Sequence, residues 1–315
     1  MEDVTDAAFR QLIARLGKPD VIFTEFTSAD GLVLASQAGK RVLLKKLLYS
    51  ESERPIVAQL FSSIPERMEK AAKLCAELGF DGIDINMGCP DRSVEKSGCG
   101  AALMKNPSLA RELIRASRRG AVRTRTSDVL VLPISIKTRI GYNTDELDSW
   151  LPALLSENPA AVTIHARTRK EMSDVPAHWE AITKAVSIRN SLGSSTLIVG
   201  NGDVQDLDDA RAKAMKFGCD GVMLGRAMYG RPWLFSNSSE WWNGVEEDRK
   251  QKTIAILIEH IKLFDELLGD TSNFATMKKH FKAYISGWVG AKELRVRLME
   301  ISTAKDAIAI LQNQV

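Results

Sequence analysis

The chain has 315 residues, 44% of them hydrophobic and 26% charged, with a net charge of +3. This is the composition of a folded globular protein rather than a disordered or fibrous one, and no apolar run approaches the roughly 20 residues that cross a bilayer. The four cysteines form no CxxC pair and no Cys/His cluster of zinc spacing, so neither a disulfide framework nor a structural metal is expected.

In chain order, Val4-Thr5-Asp6 followed by a helical pattern over 7–16 reads as a β-α loop and its helix. Short apolar runs then alternate with amphipathic stretches, the signature of a parallel sheet built from β-α units. Strands are predicted at 21–24, 56–60, 82–86, 133–138, 161–165, 197–200 and 221–224, and helices at 65–78, 107–118, 179–189 and 206–217. Two of these helices open on a proline, which suits a first turn. The fold expected is α/β, a (β/α)8 TIM barrel over residues 1–235 whose first strand is missing or truncated and belongs immediately before Met1. Beyond the barrel the strand rhythm stops. Helices are predicted at 245–268, 274–288, 291–300 and 303–314, forming an all-helical domain over 245–315. The boundary at 236–244 is polar apart from Trp241-Trp242, a pair expected to dock the two domains. The start carries neither a basic n-region nor an apolar h-region, so a cytoplasmic protein, working as a monomer, is expected.

Chemistry in a parallel barrel sits at the C-terminal ends of its strands. Reading those ends in order gives Gln59, then Asn86 with Cys89, Lys137 with Arg139, His165, Asn201-Gly202-Asp203, and Gly225-Arg226. The last two groups follow the final strands, where Gly-rich loops build phosphate sites, and Gly200, Gly202, Gly225 and Arg226 suit one. Each glycine taken singly also reads as a turn residue. Lys137 ends a strand with its stem in the barrel mouth, where a fixed ammonium stabilises an electron-rich cofactor; a surface ion pair is the other reading. A structural histidine remains open for His165, and Gln59 has the same alternative. Cys89 lies between Gly and Pro just past a strand, where exposure is expected. A thiol of ordinary pKa, about 8.5, is protonated at neutral pH and acts as an acid. Cys99, flanked by glycines, suits packing, and Cys75 and Cys219 suit the core.

These segments resemble the tRNA-dihydrouridine synthase family through nearly the whole chain: "MEDVTDAAFR", "VAQLF", "DGIDINMGCP" with "SGCGAALM", "ISIKTRIG", "VTIHARTR", "IVGNGDV", "DGVMLGRAMYGRPWLF" and "MKKHFKAYISGWVGAKELRVRLM". The resemblance implies a barrel that holds FMN, NADPH as the reductant, and a helical domain that helps grip tRNA. It implies flavin contacts at Gln59, Lys137, His165, Asn201, Gly202, Asp203, Gly225 and Arg226, and target-uracil contacts at Asn86 and Arg139. In the implied reaction, hydride passes from flavin N5 to C6 of uracil and Cys89 protonates C5. The chain departs from the family after "HARTR", where a Tyr-Ser-Gly-like stretch is replaced by "KEMSDVPAHW", and at the absent first strand. Lys278, Lys279, Lys282, Lys292, Arg295 and Arg297 fall in a short span with one acid, Glu293. Such a cluster suits tRNA phosphates, though a solvated helix face gives the same pattern; Arg167 and Arg169 are further candidate phosphate contacts. The alternatives are an FMN reductase of a free pyrimidine or other small molecule, and a non-catalytic tRNA-binding factor.

Overall fold

The computed structural model describes residues 1–125, 128–236 and 245–314. Trp241-Trp242 and the segment 237–244 lie outside the described residues. In chain order the elements are α1 (Ala7–Leu16), β1 (Ile22–Phe23), β2 (Thr27–Ser28), α2 (Ala29–Leu34), α3 (Gln37–Lys46), β3 (Ile56–Phe61), α4 (Pro65–Glu77), β4 (Gly82–Asn86), α5 (Arg92–Lys96) and α6 (Pro107–Gly120). There follow β5 (Val122–Arg125), β6 (Asp128–Val131), β7 (Ile134–Arg139), α7 (Leu147–Leu155), β8 (Ala161–His165), α8 (Glu180–Ser191), β9 (Leu197–Asn201), α9 (Leu207–Phe217) and β10 (Gly221–Met223). The C-terminal helices are α10 (Glu246–Leu268), α11 (Lys278–Tyr284), α12 (Ala291–Glu300) and α13 (Ala304–Gln312).

Two compact units result. The larger comprises Phe26–Leu43 and Pro55–Gly225; the smaller comprises Met1–Glu25, Leu44–Arg54 and Arg226–Val315. The larger unit is a parallel sheet in which β2 pairs β3, and β3, β4, β7, β8, β9 and β10 follow in that order, wrapped by helices in the manner of a (β/α)8-type barrel. Strand alternation decides which side chains go where. In β4, "Gly-Ile-Asp-Ile-Asn", the fully buried Ile83 and Ile85 take one face and Asp84 and Asn86 the other. The neighbouring β7 repeats this, with Ile134 and Ile136 alternating with Ser135, Lys137 and Arg139. One face is thus apolar and the other a ladder of polar groups. The helices carry the expected caps: Pro65 and Pro107 stand in first turns, and Asp206 accepts from the Asp209 N–H at the start of α9. A two-stranded antiparallel ribbon, β5 with β6, stands apart from the main sheet and was not predicted.

The smaller unit has its own core. Phe9, Leu12 and Ile13 of α1 pack with Ile254, Leu257, Ile261 and Phe264 of α10, Phe281 and Tyr284 of α11, Leu294 and Leu298 of α12, and Leu311 of α13. This is why residues 1–25, expected to belong with the barrel, cluster with the C-terminal helices. Asp6 caps α1 by accepting from the Phe9 N–H at 2.9 Å. Arg10 forms an ion pair at 2.8 Å with Glu53, both fully buried, and also donates to the Thr5 carbonyl at 2.8 Å. The helix predicted over 274–288 is shorter: a 3-10 turn Phe274–Met277 leads into α11, which ends at Tyr284 ahead of Gly287, whose φ of +86° no helix continues through. Among the described residues no helix is long and apolar enough to cross a membrane.

His260 and His280 lie wholly inside this core, their ring centroids 4.5 Å apart and Phe9 against both. Burial holds both rings neutral: His280 is pushed down to about 3, with Lys279 adding to the effect, and His260 well below its ordinary value. Both ring nitrogens of His280 and Nε2 of His260 have no hydrogen-bond partner among the described residues. Between pH 6.5 and about 3 the unfolded chain binds a proton at His280 that the folded chain refuses, so stability is lost as pH falls through that window. Each such histidine contributes a slope of up to about 1.4 kcal/mol per pH unit. Thermal unfolding followed by circular dichroism is expected to show a midpoint that drops from pH 6.5 to pH 4, and His280→Leu is expected to flatten that dependence.

Candidate active site at the strand ends

The polar face of the larger unit's sheet gathers the residues that the strand ends bring forward. Register does this directly: Gln59 pairs with Asp84, Asn86 with Lys137, Arg139 with His165, His165 with Asn201, and Asn201 with Met223. Residues far apart in sequence become neighbours because parallel strands set them side by side.

One group of contacts runs through β3, β4 and β7. The Gln59 Nε2 donates to Asp84 Oδ2 at 2.7 Å, Ser135 Oγ donates to Asp84 Oδ1 at 2.6 Å, and Asn86 Nδ2 donates to Gln59 Oε1 at 3.2 Å. Asn86 Oδ1 in turn accepts from the backbone N–H of Cys89 at 2.9 Å and of Gly88 at 3.2 Å. The Cys89 loop is therefore tied to the strand end by a side chain. It is held from a second side by Gly100, whose φ is +61° and whose missing Cβ would lie 2.6 Å from the Cys89 carbonyl oxygen. The Ala101 N–H donates to that carbonyl at 2.9 Å. Beneath, Trp150 Nε1 donates to Thr138 Oγ1 at 3.0 Å, and Thr138 Oγ1 to the Met87 carbonyl at 3.2 Å.

Cys89 is half-buried, whereas Cys75, Cys99 and Cys219 are buried. Burial pushes the Cys75 thiol up to about 12 and raises Cys99 and Cys219 as well.

A second group holds the cations. Lys137 Nζ donates to Asn201 Oδ1 at 3.3 Å, and Asn201 Nδ2 donates to the Met223 carbonyl at 2.8 Å. Among the described residues no carboxylate lies within ion-pair distance of Lys137. Burial, then the adjacent Arg139, push its ammonium down to about 8, against the opposing pull of Asp84. Arg139 is buried and clamps three carbonyls: Nε donates to Gly88 at 2.9 Å, and Nη1 to Thr168 at 3.0 Å and Met172 at 2.8 Å. Desolvation pushes Arg139 down to about 10. Its Nη2 takes no hydrogen bond among the described residues.

The third group lies after β8 and β9. Arg167 is buried, with Nε donating to the Val175 carbonyl at 2.6 Å, Nη1 3.1 Å from His165 Nε2, and Nη2 paired with Asp203. Asp203 Oδ2 also accepts from the Ala177 N–H at 3.0 Å. Gly202 has φ +127°, and a Cβ there would come within 2.9 Å of Ala177 Cβ and 3.1 Å of the His165 ring. Only glycine keeps the backbone this close to His165. Its carbonyl accepts from Trp179 Nε1 at 2.8 Å.

Gln59, Asn86, Cys89, Lys137, Arg139, His165, Arg167, Asn201, Gly202, Asp203 and Gly225 thus all belong to the larger unit. Arg226 opens the 3-10 turn Arg226–Met228, is exposed, and belongs to the smaller unit. Arg169 pairs with Glu95 of α5. Asp84 was missed: alternation places it on the polar face, but its partners come from two other strands. Among the described residues no cluster of three or more His, Cys, Asp or Glu suits a metal ion.

The smaller unit carries a basic cleft of about 950 Å³ lined by Lys278, Lys279, Lys282, Lys292 and Arg295 over an apolar floor that includes Tyr229 and Met299. Five of the six cations grouped in the sequence meet there, and Arg297 does not. Lys282 and Lys292 are exposed and have no ion-pair partner among the described residues.

The family description "Dihydrouridine synthase (Dus)" matches residues 1–315 of the chain. The chain is 37% identical over 313 residues to a probable tRNA-dihydrouridine synthase of Staphylococcus aureus (strain COL), covering 99% of this chain and 90% of that one. It is 36% identical over 315 residues to probable tRNA-dihydrouridine synthase 2 of Bacillus subtilis (strain 168), covering 99% and 91%. Among solved structures, histamine dehydrogenase from Rhizobium sp. 4-9 aligns with a TM-score of 0.51 at 14% identity, over 82% of this chain and 46% of that one, a likeness of fold alone.

With three thiols buried, alkylation of the folded protein by iodoacetamide is expected to modify Cys89 and spare the others, as peptide mass mapping checks. Gly100→Ala, which forces a Cβ into the Cys89 loop, is expected to change that rate at least threefold.

Proposed function

The chain belongs to the dihydrouridine synthase family, which makes it an oxidoreductase, and on that premise we propose that it reduces particular uridines of tRNA to 5,6-dihydrouridine with FMN bound at the strand ends and NAD(P)H as reductant. The observation that carries this reading is Lys137, a partly buried ammonium with Asn201 as its hydrogen-bond partner and no carboxylate among the described residues to neutralise it. An ammonium desolvated to this degree with no carboxylate beside it is costly unless the site takes an electron-rich ligand.

The donor set fits a flavin. Lys137, Gln59 and Asn201 offer N–H donors to a polar ring edge, and the loop Asn201-Gly202-Asp203 with Gly225 supplies close backbone for a phosphate. His165 and Asp203 are held in place by Arg167. When bound, the cofactor supplies the hydride that C6 of the uracil requires.

The chain's own part is to hold the base and deliver a proton. Arg139, its Nε and Nη1 fixed on three carbonyls, keeps the Nη2 edge for a uracil carbonyl. Asn86 holds the Cys89 loop, and the thiol donates its proton to C5 as general acid. A stacked uridine has to leave its stack to reach a barrel mouth, at a cost of a few kcal/mol. The basic cleft of the smaller unit supports binding of the tRNA backbone, where Lys282 and Lys292 are available to phosphates. A tRNA substrate is consistent with the cytoplasmic location expected from the sequence.

Nucleoside mass spectrometry of tRNA incubated with FMN-loaded protein and NADPH is expected to detect dihydrouridine, and Cys89→Ala is expected to lower the rate at least ~100-fold, in the range set by loss of a general acid. Absence of dihydrouridine with wild type, flavin bound and tRNA intact, moves the assignment to reduction of a small molecule. Lys282→Glu is expected to weaken tRNA binding and to lower the slope of log affinity against log salt by about 1.

A further inference from the structure

We propose that Asp84 is a positioning residue that sets the donor and acceptor direction of a hydrogen-bonded chain, Ser135–Asp84–Gln59–Asn86, ending on the backbone N–H of Cys89. The proposal rests on the reading of Cys89 as the acid at this site.

An amide side chain has two ends of nearly equal shape and opposite hydrogen-bonding sense, so something has to choose which end faces which neighbour. An ionised carboxylate chooses, because it only accepts. Asp84 is fully buried in the middle of β4 and takes one hydrogen bond on each oxygen, from Ser135 Oγ at 2.6 Å and Gln59 Nε2 at 2.7 Å. With Nε2 committed to Asp84, Gln59 presents Oε1 to Asn86. Asn86 therefore turns Nδ2 to Gln59, at 3.2 Å, and Oδ1 to the Cys89 loop. That oxygen receives the N–H groups of Cys89 at 2.9 Å and Gly88 at 3.2 Å. Reversing Asn86 sets donor against donor at the Cys89 backbone, and reversing Gln59 sets oxygen against oxygen at Asp84 and nitrogen against nitrogen at Asn86. Burial pushes the Asp84 carboxyl up to about 6, with the two donors and Lys137 opposing, so the group is ionised at neutral pH.

The chain's direction makes a reciprocal prediction. Gln59→Glu places a carboxylate oxygen against Asp84 and removes the donor between them. Adding Asp84→Asn restores the sense of every link: the introduced amide donates to the new carboxylate and accepts from Ser135, and the carboxylate accepts from Asn86. The net charge is that of wild type.

The experiment compares wild type, Gln59→Glu, Asp84→Leu and the exchanged pair Gln59→Glu/Asp84→Asn. The readouts are the rate of Cys89 alkylation by iodoacetamide without flavin or tRNA, kcat and KM for dihydrouridine formation, flavin affinity by absorbance titration, and thermal unfolding. Gln59→Glu and Asp84→Leu are expected to shift the alkylation rate at least threefold and to lower kcat at least tenfold with KM for tRNA within threefold. The exchanged pair is expected to return the alkylation rate to within threefold of wild type, while kcat stays lowered because the introduced carboxylate offers the flavin no N–H donor. An exchanged pair whose alkylation rate is no closer to wild type than that of Gln59→Glu, or a folded Asp84→Leu with unaltered alkylation and kcat, overturns the proposal. Alkylation is measured whether or not the protein makes dihydrouridine, so failure of the tRNA reading leaves the Asp84 test intact.

Discussion

The polar face of the parallel sheet in the larger unit is the constraint on which the rest of that unit's organisation depends. Polar groups enclosed by strands have to satisfy one another, because a buried donor or acceptor left without a partner costs about as much as several net hydrogen bonds return. Asp84 can sit in the centre of β4 because Ser135 and Gln59 both point donors at it. The satisfaction of that one carboxylate propagates outward to Asn86 and the Cys89 loop. The opposite case is Lys137, whose one hydrogen-bond partner among the described residues is Asn201. A network that closes on itself and a cation that does not, on the same face, are what separate a rigid wall from a ligand site.

The arginines divide the same way. Arg167 is consumed within the protein, bracing Asp203 and His165, and its guanidinium is buried. Arg139 spends two of its three nitrogens on carbonyls and so is fixed without being exhausted. In the smaller unit, Arg10 is neutralised by Glu53 in the interior, while Lys282 and Lys292 stand exposed at the cleft. Cations that serve structure are paired and enclosed; those available to a ligand are fixed with an edge left over, or exposed with no ion-pair partner among the described residues.

Much of this was legible in the sequence. The seven predicted strands all form, because a strand of a parallel sheet reads as a short, largely apolar run bounded by turn residues, and the chain has seven such runs. The strand-end residues were legible for the same reason: a polar residue that interrupts such a run stands out. Other features had no local signal. The ribbon β5–β6 was hidden because Val129, Leu130 and Val131 run into the apolar start of β7, although all three are exposed. Helix α7 contains Pro152, which argues against a helix when read locally. The membership of α1 in the smaller unit depends on packing against α10, more than 200 residues away. Asp84 lay in a motif that was read for its cysteine and asparagine, and its role exists only once β3 and β7 flank β4.

We propose that the strand-end site joins a flavin to a uridine carried on tRNA. The most direct test is an anaerobic single turnover: protein loaded with FMN, reduced with NADPH and freed of excess reductant, is mixed with tRNA while the visible absorbance of the flavin is followed. Recovery of the oxidised spectrum is expected in proportion to dihydrouridine formed, with tRNA and not with free uridine. Recovery with free uridine as readily as with tRNA, or a spectrum that tRNA leaves unchanged, would contradict it.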